Sequence, residues 1–203
     1  MLLALVTTAC MTGERPTLGE PVALGGPAGT PTGNVAVDTV LQQLERTDHP
    51  SFTADYDITR KLGPNSTDGV VVQDEDDTSI TVGDVRFLQG TQSSTCNLSE
   101  QTCEEGTLDA RISDYSVGSG FYADAPARAL RIAFERRNGE PTASQATIGG
   151  ITASCVQVPV GTGAETYCAT PLGPVARWDT AAVNVELTAL ADVPDQSAFA
   201  PPG

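Results

Sequence analysis

Residues 34–58 read NVAVDTVLQQLERTDHPSFTADYDI, and within them the spacing of apolar side chains changes from helical to alternating. Four apolar residues share the i, i+3, i+4, i+7 spacing of an amphipathic helix: Val37, Val40, Leu41 and Leu44. Asn34 suits the N-cap of this helix, and Pro50 prevents its continuation. Four further residues alternate with polar ones, as in a strand with one buried face: Phe52, Ala54, Tyr56 and Ile58. The stretch therefore predicts a helix followed directly by a strand.

Short runs with strand character follow, separated by turn residues: GVVVQ (69–73), TSITV (78–82), VRFL (85–88), LDARISDY (108–115), TIGGITASCVQVPV (147–160), ETYCAT (165–170), PVARW (174–178) and VNVELTAL (183–190). A second helix is predicted over APARALRIAFERR (125–137), with Asp124 as its cap and Pro126 in its first turn. Sequential strands with short turns favour an antiparallel sheet. We therefore predict an α+β domain with a single curved antiparallel sheet, whose concave face is covered by the two helices.

The N-terminal apolar run, Leu2 to Ala9, is too short to cross a bilayer, which takes about 20 residues. LVTTAC (5–10) resembles the bacterial lipobox, in which cleavage precedes a cysteine that carries acyl chains. We expect residues 1–9 to be a truncated lipoprotein signal peptide, with its start upstream of Met1. Residues 10–33 would be the lipidated Cys10 and a Gly/Pro-rich flexible tether, and residues 34–203 the folded domain. The alternative is an uncleaved N-terminus with an incidental cysteine.

The other four cysteines form two local pairs: Cys96 with Cys103, and Cys155 with Cys168. In an exported protein such pairs predict two disulfides, and proximity favours this connectivity among the three that are possible. Neither pair has the C-x₂₋₄-C spacing of zinc ligands or the C-x-x-C spacing of redox catalysts.

Composition excludes several functions. The net charge of −15 argues against nucleic-acid binding and against attraction to anionic lipid by charge alone.

His49 is the single histidine and no G-x-S-x-G elbow is present, so we predict no enzyme, no cofactor and no metal site. The acidic run DEDDTSITVGDV (74–85) departs from the calcium-loop template at Ser79 and Val85 and is expected to be a hairpin turn. GTGAE (161–165) is likewise expected to be a hairpin turn.

A resemblance to a known family rests on the helix–strand opening, the strand series and the segments GGITASCVQVP (149–159), YCATPLGPVARW (167–178), NVELTAL (184–190) and FAPPG (199–203). Over about residues 34–200 the chain resembles the LolA-like lipoprotein-carrier superfamily, especially the LppX/LprG-type lipoproteins of actinobacteria. That resemblance implies a half-open barrel with helices on its concave side and an acyl-binding cavity between them.

The resemblance implies a lipid or acylated ligand, with candidate cavity residues Val37, Val40, Leu41, Leu44, Phe52, Tyr56, Ile58, Leu130 and Phe134. The alternative for each of them is ordinary core packing. The predicted function is that of a monomeric, membrane-anchored lipoprotein on the extracytoplasmic face of the cell membrane, which binds or carries a lipid or other hydrophobic ligand. The alternative is an RseB-like interaction or sensor module with an envelope protein partner, which would show a filled core and an exposed patch instead.

Overall fold

A computed structural model describes residues 26–63 and 65–202. Its helices are α1 (Val35–Leu44), α2 (Asp124–Arg136) and two 3₁₀ helices (Asp109–Tyr115 and Gln196–Phe199). Its strands are β1 (Phe52–Arg60), β2 (Ser66–Asp74), β3 (Asp77–Val82), β4 (Val85–Gln89), β5 (Ser94–Asn97), β6 (Thr102–Glu105), β7 (Thr142–Ile148), β8 (Ile151–Val160), β9 (Gly163–Ala169), β10 (Val175–Asp179) and β11 (Val183–Ala191).

All eleven strands form one antiparallel sheet in the order β6-β5-β4-β3-β2-β1-β11-β10-β9-β8-β7. The chain starts at the centre with β1 and runs outward by hairpins to β6 at one edge. Residues 106–141 then cross the concave face and carry α2 with them, and β7 to β11 lead back to the centre. The predicted fold class, a single curved antiparallel sheet with helices, is confirmed.

The half of the sheet from β7 to β11 is strongly curled. Gly149, in the turn after β7, approaches Leu187 of β11 so closely that a Cβ atom at Gly149 would lie 3.0 Å from the Leu187 side chain. These residues meet although three strands separate β7 from β11 in the sheet order. Both α-helices pack against this curled half, on β8 and β9.

Helix α1 forms as its sequence predicts. The Asn34 side chain accepts a hydrogen bond from the Val37 amide at 3.2 Å, which makes it the N-cap. The four residues of the predicted stripe are its buried residues. The helix ends at Leu44, before Pro50 would prevent its continuation.

Two sequence predictions about local structure are wrong. The segment LDARISDY was expected to be a strand, but Asp109–Tyr115 is a 3₁₀ helix that buries only Ile112. Asp124 was expected to cap α2, but it is the first residue of that helix, and Ala123 precedes it without a side-chain capping bond. In that position the Asp124 carboxylate still lies at the positive end of the helix dipole.

The two helices do not cover the whole concave face. The 3₁₀ helix and the residues that follow it pack on the β1–β2 side of the sheet, where Phe121 meets the Tyr56 ring edge-to-face at a centroid distance of 5.2 Å. Gly69 makes room for this contact, because a Cβ atom there would lie 3.2 Å from Phe121 and 2.9 Å from Ile58. Residues 106–123 therefore close the part of the face that the helices leave open.

Candidate functional site

The candidate cavity residues lie in the hydrophobic core. Eight of the nine have exposed fractions between 0 and 4%: Val37, Val40, Leu41, Leu44, Phe52, Tyr56, Ile58 and Leu130. Phe134 is half-buried at the end of α2, with the Arg137 guanidinium 3.7 Å above the centre of its ring. Side chains with so little water-accessible surface leave almost no room for a ligand among them. The structure thus brings the nine predicted residues together as a packed layer, and their role in ligand binding stays a prediction.

One polar atom interrupts this apolar layer. The Tyr56 side chain is buried and its hydroxyl has no hydrogen-bond partner in the described part of the chain. Burial raises the pKa of Tyr56 well above its ordinary value, so the phenol stays neutral. A buried hydroxyl without a partner lowers stability, typically by about 1–3 kcal/mol.

Both cysteine pairs favoured by proximity are bonded. Cys96–Cys103 joins β5 to β6 at one edge of the sheet, and Cys155–Cys168 joins β8 to β9 beneath α1. The second bond lies in the core, since both of its residues are buried. Cys10, the predicted lipidation site, lies outside the described residues, as do the predicted signal segment and most of the tether.

The segment before α1 is held to the domain by two acidic residues, Glu45 at the end of α1 and Asp38 in its first turn. The Glu45 carboxylate accepts two 2.7 Å hydrogen bonds from Arg131 of α2, and one of 2.8 Å from the Gly29 amide. Arg131 also donates to the Thr30 carbonyl oxygen at 2.8 Å and is only 5% exposed. This hydrogen bonding to Glu45 raises the pKa of Arg131. An open groove of about 470 Å³ lies above this pair.

Asp38 ties the preceding loop to the same helix. Its carboxylate accepts 2.7 Å hydrogen bonds from both the amide and the hydroxyl of Thr32, and a 3.2 Å bond from the Gly33 amide. Desolvation acts to raise the pKa of Asp38, but the hydrogen bonds from Thr32 and Gly33 outweigh it and lower the pKa below its ordinary value.

A second groove, of about 690 Å³, separates the first half of α1 from the edge hairpin β7–β8. We call it the α1–β7 groove, and its lining residues are Asn34, Val35, Ala36, Thr39, Val40, Pro141, Ala143, Ser144, Gln145, Ser154 and Cys155. None of these side chains ionises, since Cys155 is in a disulfide. Val35, which borders both grooves, is 82% exposed, the most exposed large apolar residue of the described chain.

The remaining motifs lie in loops, turns and strands of the sheet. His49 lies in the loop between α1 and β1, with Nδ1 3.4 Å from the Gln73 amide nitrogen. The acidic run contains the tight turn between β2 and β3 and the whole of β3, and the GTGAE stretch spans the turn between β8 and β9, both as predicted. Within residues 26–63 and 65–202, no group of three or more His, Cys, Asp or Glu side chains is arranged to hold a metal ion. Over the same residues, no helix is long and apolar enough to cross a membrane.

Sequence reasoning missed the α1–β7 groove. The run 147–160 predicts a strand but carries no sign of which strand ends the sheet; in the structure it contains the end of β7, a turn at Gly149 and Gly150, and β8. The only available signal was the stretch TASQATI (142–148), which is uncharged and follows Pro141.

No protein-family model and no curated protein matches the chain. Among solved structures it is similar to MucB, with 11% identity and a TM-score of 0.48 over 83% of this chain and 63% of that one. The MucA/MucB complex of Pseudomonas aeruginosa matches with 10% identity and a TM-score of 0.48 over 81% of this chain and 60% of that one. LolA superfamily protein NE2245 from Nitrosomonas europaea matches with 10% identity and a TM-score of 0.36 over 81% of this chain and 97% of that one.

The chain spans about three fifths of the length of the MucB chains that it matches. A LolA superfamily protein is thus among the similar structures, whereas the actinobacterial LppX/LprG type stays a prediction. These TM-scores mark a loose likeness, so function has to be inferred from the chain's own surfaces.

Proposed function

We propose that this protein is an extracytoplasmic binding module that acts through protein contacts and is held at the cell membrane by lipid on Cys10. The observation that carries the proposal is the packed concave face. The side chains expected to line an acyl cavity fill the space between sheet and helices themselves. This is the filled core expected of the interaction module rather than of the carrier.

Opening that face would take a large free energy. Lifting α1 from the sheet would expose four buried aliphatic side chains, Val37, Val40, Leu41 and Leu44. At about 1.5–3 kcal/mol each, the loss is about 6–12 kcal/mol. A domain of this size has a total stability of about 5–15 kcal/mol. A ligand would have to replace nearly all of these contacts to enter.

The extracytoplasmic location is supported by the two disulfides, because such bonds persist in oxidising compartments. The lipid anchor rests on the lipobox-like residues that precede Cys10. An anchor of two or more acyl chains would hold the domain stably at the membrane. MucB, which forms a complex with MucA, offers an example of a similarly arranged protein that binds another protein.

The proposal is tested by photo-crosslinking in the producing cell. A photoreactive amino acid replaces Val35, at the rim of both grooves, and in a control strain it replaces the exposed Thr188 on β11. The expected result is a discrete protein adduct from position 35 and none from position 188. Adducts to lipid alone at position 35, or the same adducts from both positions, would contradict the proposal.

Lipid carriage is the second candidate, and the unpartnered Tyr56 hydroxyl favours it. This atom could receive a hydrogen bond from an ester or headgroup if the helices moved off the sheet. Under this hypothesis Tyr56→Phe would weaken retention of phospholipid taken up from vesicles. Under the proposed function the same variant takes up no more lipid than the wild type, and it is equally or more stable.

A further inference from the structure

The free side of strand β7 is the feature from which a binding mode can be inferred. β7 ends the sheet, pairs with β8 on one side, and has no strand of the described residues on the other. Residues 142–147 are exposed or half-buried. The end of β7 is obstructed, where the turn at Gly149 touches Leu187.

The register determines which backbone groups face outward. The β7–β8 turn has two residues, Gly149 and Gly150, with φ of +58° and +82°, and it is closed by the pair Ile148–Ile151. The closing pair of such a turn is hydrogen-bonded, and the pairs then alternate along the ladder. Ala143 and Gln145 therefore belong to non-hydrogen-bonded pairs, and their N–H and C=O groups point away from β8.

The disulfide on β8 gives an independent check of this assignment. The Cα atoms of Cys155 and Cys168 are 4.0 Å apart, closer to the spacing of a non-hydrogen-bonded pair than to that of a bonded one. The peptide groups of Cys155 then point toward β7, where its partner is Ser144. The backbone N–H and C=O groups of Ser144 are thus hydrogen-bonded to β8, and those of its neighbours Ala143 and Gln145 point outward.

The two edges of the sheet differ in how they are protected. Proteins normally guard an edge strand by making it short, charged or bulged, or by placing proline in it. β6, at the other edge, has four residues, includes Glu104 and Glu105, and is disulfide-bonded to β5. β7 has seven residues, contains neither charge nor proline, and pairs with β8 without a register shift. Only the β7 edge has the features of a strand that can accept another.

The α1–β7 groove lies directly beside this edge and would receive the side chains of an added strand. Its lining is small and uncharged, and Val35 adds an exposed apolar contact at its rim. Such a surface favours small or medium uncharged side chains at alternate positions. The surrounding protein carries a net charge of −15, which attracts a basic partner over longer range and repels a second copy of the chain.

We infer that β7 accepts an extended segment of a partner protein as a twelfth strand of the sheet, with uncharged residues in the α1–β7 groove and basic residues flanking them. The partner's backbone would exchange hydrogen bonds with Ala143 and Gln145. This inference rests on the proposed function and deepens it, because it names the surface and the chemistry of the partner.

The test uses a displayed library of random 12-residue peptides flanked by lysines, selected against the full chain. Selected peptides are then measured by fluorescence anisotropy against the wild type and two variants at one position. Gln145→Pro removes the outward N–H while leaving the β7–β8 ladder intact, and Gln145→Ala keeps the N–H and shortens the side chain. Ala143→Pro likewise removes an outward N–H from β7.

We expect Gln145→Pro and Ala143→Pro to weaken binding at least about tenfold, and Gln145→Ala to weaken it less than about threefold. Circular dichroism and thermal unfolding identify any variant that fails to fold. If one proline variant fails to fold, the affinity of the other proline variant tests the inference. Equal affinity for the wild type and a folded proline variant would overturn the inference, as would selection of no peptide. Dimerisation of the wild type that Gln145→Pro abolishes would also overturn it, because the occupant would then be a second copy.

The proposed function and the inference about β7 can be refuted separately. Acyl species that co-purify with the chain would contradict the proposed function whatever β7 binds. A protein that is free of lipid, crosslinks at position 35 and shows no β7-dependent peptide binding would contradict only the inference about β7.

Discussion

Replacing Arg131 by alanine should destabilise the domain strongly, because it leaves the Glu45 carboxylate buried without its cation. The Glu45 side chain is 13% exposed and that of Arg131 6%, and both carboxylate oxygens depend on the guanidinium. Removing one partner of a buried pair costs about 3–5 kcal/mol. Because Glu45 keeps the hydrogen bond from the Gly29 amide, we expect the lower end, about 3 kcal/mol. For a domain of this size that corresponds to a fall in Tm of about 6–12 °C.

Urea unfolding followed by circular dichroism measures this change. Arg128→Ala is the matched control, since Arg128 lies on the same helix, three residues earlier, and is exposed; it should change stability by less than about 0.5 kcal/mol. The double variant Arg131→Met/Glu45→Leu replaces the pair by apolar groups and should recover most of the loss. If Arg131→Ala and Arg128→Ala had the same small effect, the pair would not fasten the end of α1 to α2, and the reasoning would be wrong.

Three further predictions concern packing, covalent structure and pH. Gly69→Ala should destabilise by about 1–3 kcal/mol because its Cβ atom would collide with Ile58 and Phe121, whereas Gly163→Ala, with open space around it, should be nearly neutral in urea unfolding. Replacing the Cys155–Cys168 bond by two alanines should lower the free energy of unfolding by about 3 kcal/mol through chain entropy alone, measured in the same way. Because the pKa of Asp38 is lower in the folded state, its ionised carboxylate stabilises the fold at pH values above the ordinary pKa of 3.8. This stabilisation is lost as the pH falls through the lower folded-state pKa. Asp38→Asn should therefore differ from the wild type more at pH 6 than at pH 3, and an equal difference at both would contradict the assignment.

Periodicity predicted the parts of the fold in which local pattern and tertiary burial agree. The stripe of α1 and the alternation of β1 both correspond to the residues that the structure buries. LDARISDY failed because its apparent alternation has one buried member, Ile112, and the chain there must leave the sheet and cross its face. The short strand β6 was missed for a related reason, because it is exposed along its whole length and shows no burial pattern. Strand β5 has only four residues, too few to show an alternation.

The candidate site was harder to predict because it depends on the order of strands. TASQATI gives no sign by itself that it ends the sheet, since edge position is a property of the whole topology. Eight of the nine predicted cavity residues are buried in the core, and their role in ligand binding stays a prediction. Whether the concave face stays open depends on Phe121 and its neighbours, for which the sequence predicted no structure and which follow the segment wrongly predicted as a strand.

The most direct test of the proposed function is native mass spectrometry, with organic extraction, of the protein purified from an exporting bacterial host. A concave face filled by its own side chains predicts that the folded domain carries no acyl ligand, and that added phospholipid does not change this. An acylated species bound at near one-to-one stoichiometry, and lost on mutation of Leu44 and Phe134, would contradict the account and establish a lipid carrier instead.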